Sequence, residues 1–243
     1  MPFEEKDVIQ LYEWYNNLEF RLQPILEVMP VVDRESLTKI ISPRIVPFLM
    51  ESCSILDSIM RLIVPERMTR PNGKTITWRG ANIFDYCREI NPLLALKKTK
   101  SIVMIPMPFI ISPFKDWTTT GPNKMQWWKL YNSLKHDRLR WSKKLTLLHA
   151  IESLCALHQL MVRIPHIIAM SFRFNWVELS GYNPEVLLEG LPNEISPQLS
   201  TFLSYTKLFC TPLSIQKWET LADIHPVSFK NSSRLLHFLG RMM

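Results

Sequence analysis

Residues 145–163 form the most apolar helical stretch of the chain. Apolar side chains recur there on most sides of a helix with 3.6 residues per turn. They are Leu147, Leu148, Ile151, Leu154, Cys155, Leu157, Met161 and Val162. A helix that is apolar around most of its circumference has to be enclosed by other elements. The pattern therefore predicts a central helix, and the short link at 140–144 predicts an antiparallel helix before it.

Three further regions, 4–28, 34–63 and 80–98, show apolar residues at spacings of three and four. The chain has only 6 Gly, and its 18 Pro mark helix ends and kinks. Pro43 and Pro47 lie inside the second region and predict a bend or a broken pair of helices. The sequence therefore predicts an all-α fold.

The segment 101–112 departs from this pattern because it is β-branched and interrupted by prolines. It predicts a short extended or β segment within the helical fold. Beyond Pro165 the periodicity weakens. We therefore divide the chain into a helical domain at 1–164 and a helical or irregular C-terminal extension at 165–243 that packs on it.

Charge, composition and the absence of known motifs limit the kinds of function that the sequence predicts. The formal net charge is +7, from 29 Lys plus Arg against 22 Asp plus Glu, which suits RNA, DNA or anionic lipid and also many ordinary proteins. No Cys/His cluster has metal-site spacing, and there is no phosphate-binding, dinucleotide or zinc-protease motif. No signal peptide or membrane-length apolar run is present. We expect a cytoplasmic protein with no metal, no cofactor and no membrane span.

The stretch 127–138 concentrates aromatic, amide, basic and imidazole groups. It contains neither Gly nor Pro and therefore predicts one continuous helix. Residues four apart lie on one helical face, which aligns Asn132, His136 and Arg140. Lys129 lies one turn before them.

Asn132 and His136, separated by three residues, resemble the motif of the HEPN family. That motif is an Arg, a polar residue, three variable residues and a His. Tyr131 occupies the position of the Arg. The longer string of Trp-Trp followed by Tyr-Asn-x-x-Lys-His-x-Arg resembles HEPN-like proteins of bacterial origin.

The resemblance implies a helical bundle that commonly forms homodimers. Active members of the family are metal-independent endoribonucleases of host defence, toxin–antitoxin and RNA-processing systems. Other members have lost catalysis and serve as binding or inhibitory modules.

Metal-free RNA cleavage needs proton-transfer groups and cations on the phosphate. His136 would transfer protons, Asn132 would hold its imidazole or a phosphate oxygen, and Tyr131 would donate a hydrogen bond where the family has an Arg. The predicted RNA contacts are Lys129, Lys135, Arg138 and Arg140. In a homodimer one composite site would contain two copies of the histidine.

Each of these features also has a simpler interpretation. His136 is also consistent with an ordinary surface histidine, and the basic run is consistent with a solvated helix face. The tryptophans are consistent with packing in the core as well as with base stacking. The tryptophans in question are Trp127, Trp128 and Trp141. We favour an RNA-acting protein, a candidate metal-independent endoribonuclease of bacterial antiviral defence or a toxin–antitoxin system. The alternatives are a catalytically inactive module that binds a partner protein as a subunit or inhibitor, and a purely structural helical protein.

Overall fold

The computed structural model describes residues 4–29, 33–105, 108–164, 167, 171, 174–176 and 203–212. In these residues the α-helices are α1 Glu5–Val28, α2 Arg34–Lys39, α3 Val46–Ile63, α4 Ile83–Leu94, α5 Gln126–His136, α6 Arg138–Trp141 and α7 Leu147–Met161. The strands are β1 Arg67–Thr69, β2 Thr75–Thr77, β3 Ser101–Val103, β4 Phe109–Ile111, β5 Leu203–Tyr205 and β6 Phe209–Pro212. The predicted helical character is confirmed, and the structure adds two small antiparallel sheets.

The central position predicted for α7 is confirmed, because nearly all of its side chains are buried. Helix α3 is its most extensive neighbour, and α1, α2 and α5 also pack against it. The helix begins at a reciprocal cap in which the backbone N–H of Thr146 donates to Nδ1 of His149 at 3.1 Å. The other helices pack around α7 because its apolar side chains have to be buried on nearly all sides.

The predicted break in the second helical region is also present. Asp33 caps α2 by accepting a hydrogen bond from the backbone N–H of Ser36 at 2.7 Å. A 3-10 turn at Pro43–Ile45 then precedes α3, and Pro47 lies in the first turn of that helix. A proline is tolerated there because the first amides of a helix have no intrahelical acceptor.

The β segment expected near 101–112 is the antiparallel pair β3–β4, with Ile102 opposite Ile110. The sheet order is β4-β3-β6-β5, so the hairpin at 203–212 adds to the other edge of β3. Of the C-terminal extension at 165–243, the parts other than residues 167, 171, 174–176 and 203–212 lie outside the described residues.

A buried carboxylate attaches the β5–β6 hairpin to α1. Glu19 is 3% exposed and accepts hydrogen bonds from the backbone amides of Lys207 at 3.1 Å and Leu208 at 2.9 Å. The hydroxyl of Tyr15 also donates to it, at 3.2 Å. Burial raises the pKa of Glu19, although these donors oppose the shift.

The continuous helix predicted for 127–138 is wrong at its C-terminal end. Helix α5 stops at His136, and Asp137 leaves the helical conformation with φ −148° and ψ 86°. The Asp137 carboxylate accepts a hydrogen bond from the backbone N–H of Arg140 at 3.0 Å and so begins α6. Arg140 therefore does not continue the helical row of Asn132 and His136.

No helix among the described residues combines the length and apolar composition that crossing a membrane requires.

Candidate functional site

The first turn of α5 belongs to the hydrophobic core. Trp127 and Trp128 are 1% and 4% exposed. The indole N–H of Trp127 donates to the carbonyl oxygen of Pro113 at 3.0 Å, and its ring meets Phe114 edge-on at 5.9 Å. For these two tryptophans the structure selects core packing over a free base-stacking surface.

Tyr131 is also a core residue, at 2% exposed. Its ring packs against Trp128 with centroids 5.3 Å apart, and burial raises the pKa of its phenol. The ammonium nitrogen of Lys135 lies 3.9 Å from the centroid of the Tyr131 ring. The exposed member of this pair is the lysine, so the charge here reaches solvent one turn after the tyrosine.

Asn132 and His136 are both exposed on α5, as predicted for residues on one face. The amide nitrogen of Asn132 donates to the carbonyl oxygen of Trp128 at 3.2 Å, within its own helix. Among the described residues no hydrogen bond joins Asn132 to His136. The imidazole therefore stands at the end of α5 without a positioning partner from the described part of its own chain.

A run of exposed cations covers α5, α6 and the 3-10 turn Ser142–Lys144. We call it the basic surface: Lys129, Lys135, Arg138, Arg140, Lys143 and Lys144. Every ion pair within the described residues uses other basic residues, so none of these six side chains is neutralised by a carboxylate there. The nearby carboxylate of Asp137 is engaged as the cap of α6. The six cations outnumber the single negative charge of Asp137, and the excess positive charge attracts polyanions.

An open cleft of about 670 Å³ lies beside this surface, between the start of α4, helix α5 and the start of α7. Its apolar lining comes from Ile83, Phe84, Trp128, Leu130 and Trp141. Its polar lining comes from Asn123, Gln126, Lys129, Asn132, Ser133, Lys144 and His149. Two predicted site residues, Lys129 and Asn132, therefore meet in the cleft, whereas His136, Lys135, Arg138 and Arg140 are not in its lining.

His149 is a cleft residue that the sequence patterns did not select as a site residue. Its Nδ1 accepts the backbone N–H of Thr146, which assigns the proton of the neutral ring to Nε2. Burial lowers the pKa of His149, so the ring is neutral near pH 7. Nε2–H has no partner within the described residues. The spacing Thr-x-x-His at the start of an apolar helix is the signal that could have identified this capping histidine.

Trp141 links the cleft to the basic surface. Its ring is half-buried, and the Lys144 ammonium and the Arg140 guanidinium lie 4.4 Å and 5.8 Å from its centroid. The two cations held at this ring can neutralise the charge of an anionic ligand that enters the cleft.

Two other polar clusters serve the fold. The carboxylate of Asp85 pairs with Arg70 at 2.6 Å and with Arg88 at 2.9 Å, and Glu89 pairs with Arg88 at 3.1 Å, so both carboxylates are engaged in ion pairs. His158 is fully buried and contacts Ser204 at 3.3 Å through Nε2. No cluster of three or more potential ligands that could hold a metal ion occurs in the described ranges.

Comparison with known proteins gives no match, whether to protein-family models, to curated proteins or to solved structures.

Proposed function

We propose that this chain is an RNA-acting protein that binds the phosphate backbone of RNA through the basic surface. The observation that carries the proposal is the contiguous set of exposed cations on α5, α6 and the following turn, none of them neutralised by a carboxylate of the described residues. Backbone recognition uses Lys and Arg presented in this way, and it releases counterions from the nucleic acid. The adjoining cleft, with aromatic and amide groups, favours a nucleic acid over a lipid surface.

The proposal includes a HEPN-like helical bundle that forms a homodimer and acts in a bacterial defence or toxin–antitoxin system. Its supports are the Asn132-x3-His136 resemblance and the mainly helical fold in which α5 packs on α7. In a dimer that brings two α5 helices together, two copies of His136 would share one phosphate.

Two outcomes at the bound RNA are distinct. Metal-independent cleavage is favoured by the exposed imidazole of His136 next to Lys135 in the last turn of α5. A binding module without cleavage, acting as a partner subunit or inhibitor, is favoured by the burial of Tyr131 where the family has an Arg. It is also favoured by the Asn132 amide, which bonds to Trp128. Because Tyr131 brings no cation to the phosphate, RNA binding is the function best supported and cleavage is secondary.

The binding test compares two charge-matched double variants by fluorescence anisotropy with a labelled RNA. Arg138→Ala/Lys143→Ala removes two cations of the basic surface, and the control Lys97→Ala/Lys98→Ala removes two exposed cations elsewhere. The first pair should weaken binding about tenfold or more and lower the salt slope by about 2, and the control should change neither appreciably. Equal losses in both pairs would contradict the site, and no binding by the unaltered protein would overturn the RNA function.

The cleavage test uses the same RNA in EDTA, with the unaltered protein beside His136→Ala. Cleavage that persists in EDTA and disappears in the variant identifies a metal-independent ribonuclease with His136 at its centre. Binding that is equal in both proteins without cleavage identifies the inactive module.

A further inference from the structure

We infer that the cleft holds one unpaired nucleobase, so that the protein selects single-stranded RNA over duplex RNA. This inference rests on the proposed RNA function and specifies the substrate class of the same site. It is carried by the size, the lining and the position of the cleft relative to the basic surface.

The dimensions and apolar walls suit a base. The cleft volume of about 670 Å³ lies within the range of about 300–1,000 Å³ found for small-molecule sites. The half-buried Phe84 and Trp141 supply the accessible aromatic lining, and the buried Trp128 closes the wall behind them. In a duplex both faces of a base are covered by its neighbours and its edge is paired, so only an unpaired base can enter such a cleft.

Hydrogen-bonding groups with spare capacity lie on the same lining. Gln126 is exposed, and its amide has no partner within the described residues. The side-chain oxygen of Asn132 is available, because the only hydrogen bond of this side chain within the described residues uses its amide nitrogen. His149 adds the Nε2–H donor. These donors and acceptors are the kinds of groups that read the edges of unstacked bases.

Two cations connect the cleft to the phosphate track. Lys129 and Lys144 belong both to the cleft lining and to the basic surface. Lys144 lies over Trp141, with its ammonium 4.4 Å from the ring centroid. A nucleotide whose base lies in the cleft therefore has a cation beside its own phosphate, and the neighbouring phosphates continue along the basic surface.

The experiment measures the affinity for one unstructured single strand and for the blunt duplex of the same sequence, at one ionic strength. The unaltered protein should bind the single strand about tenfold more tightly, as expected for one stacked base. Ser133→Trp, which places an indole in the cleft, should abolish this preference by lowering the affinity for the single strand to that for the duplex. The control Ser58→Trp, at an exposed position of α3 outside the cleft, should retain the preference.

A change in the RNA keeps the test independent of how the variants fold. A strand with the same phosphates but with its bases removed should bind the unaltered protein as weakly as the duplex does. Equal affinity for the intact, abasic and duplex forms would overturn the inference while the proposed RNA function stands. Failure to bind any of the three forms would instead refute the RNA function itself.

Discussion

The Lys135 ammonium lies 3.9 Å from the centroid of the Tyr131 ring, which is itself 2% exposed. In the proposed resemblance to the HEPN motif, Tyr131 stands where the motif has an Arg. The aromatic ring fills a core position, and the cation emerges one turn later along α5. An Arg at position 131 would place its guanidinium among buried side chains, where the nearby carboxylate of Asp57 is already paired with Arg61 at 2.9 Å.

We therefore predict that Tyr131→Arg lowers the free energy of unfolding by about 3 kcal/mol or more. The matched control Tyr131→Phe keeps the ring and should cost about 1 kcal/mol through loss of the hydrogen bond between the Tyr131 hydroxyl and Ser54. Urea denaturation followed by circular dichroism measures both. An arginine variant as stable as the phenylalanine variant would show that position 131 is not a core position.

The second prediction concerns Glu152, which is largely buried with Arg34 at 3.8 Å. Burial raises the pKa of Glu152 to about 7, above the 4.5 of the unfolded chain. Below pH 4.5 the Glu152 carboxyl is protonated in both the folded and the unfolded chain, so its burial does not lower the free energy of unfolding there. The destabilisation develops as the pH rises from 4.5 to about 7 and is complete above it. Glu152→Gln should therefore stabilise the fold by on the order of 3 kcal/mol in mild alkali and by little in acid.

Urea titrations across this pH window test the prediction, with Glu35→Gln as the control at an exposed position of α2. The control should follow the unaltered protein at every pH. A constant difference between Glu152→Gln and the unaltered protein across the whole window would contradict the assignment of the titration to Glu152.

The third prediction concerns His158, whose burial lowers the stability of the fold in acid rather than in alkali. His158 is fully buried, and burial lowers its pKa from 6.5 to about 3. The unfolded chain takes up a proton below pH 6.5 and the folded chain does not, so stability is lost as the pH falls through this window. His158→Gln should remove a slope of about 1.4 kcal/mol per pH unit. Melting temperatures at a series of pH values measure it, and an unchanged acid slope would show that His158 is not the titrating group.

The fourth prediction separates the two roles of Asp137. It is the only carboxylate among residues 124–144, and it caps α6 through the backbone N–H of Arg140. Asp137→Ala should cost about 1 kcal/mol, whereas Asp137→Asn should retain most of the cap. Both remove a negative charge from the basic surface and should tighten RNA binding to a similar extent. Thermal unfolding and RNA anisotropy, measured on both variants, distinguish capping from charge.

Elements defined by local periodicity could be predicted, because burial imposes a repeat that is visible in the chain. Helix α7 is of this kind, whereas the β3–β4 pair was predicted from the β-branched residues of its segment. The end of α5 was missed because a capping Asp such as Asp137 overrides helical continuity without altering the pattern around it. The cleft was missed because it is built by segments distant in sequence, such as Phe84 and His149, whose approach no local pattern encodes.

The attachment of Leu208 to Glu19, 189 positions apart, has a consequence for synthesis of the chain. The helices around α7 leave the ribosome well before the hairpin at 203–212. Until then one side of β3 has unsatisfied amides and carbonyls, and the Glu19 carboxylate has no backbone donors from the hairpin. An open strand edge of this kind favours pairing with another chain, and contacts between residues this distant in sequence are of the kind that slow folding.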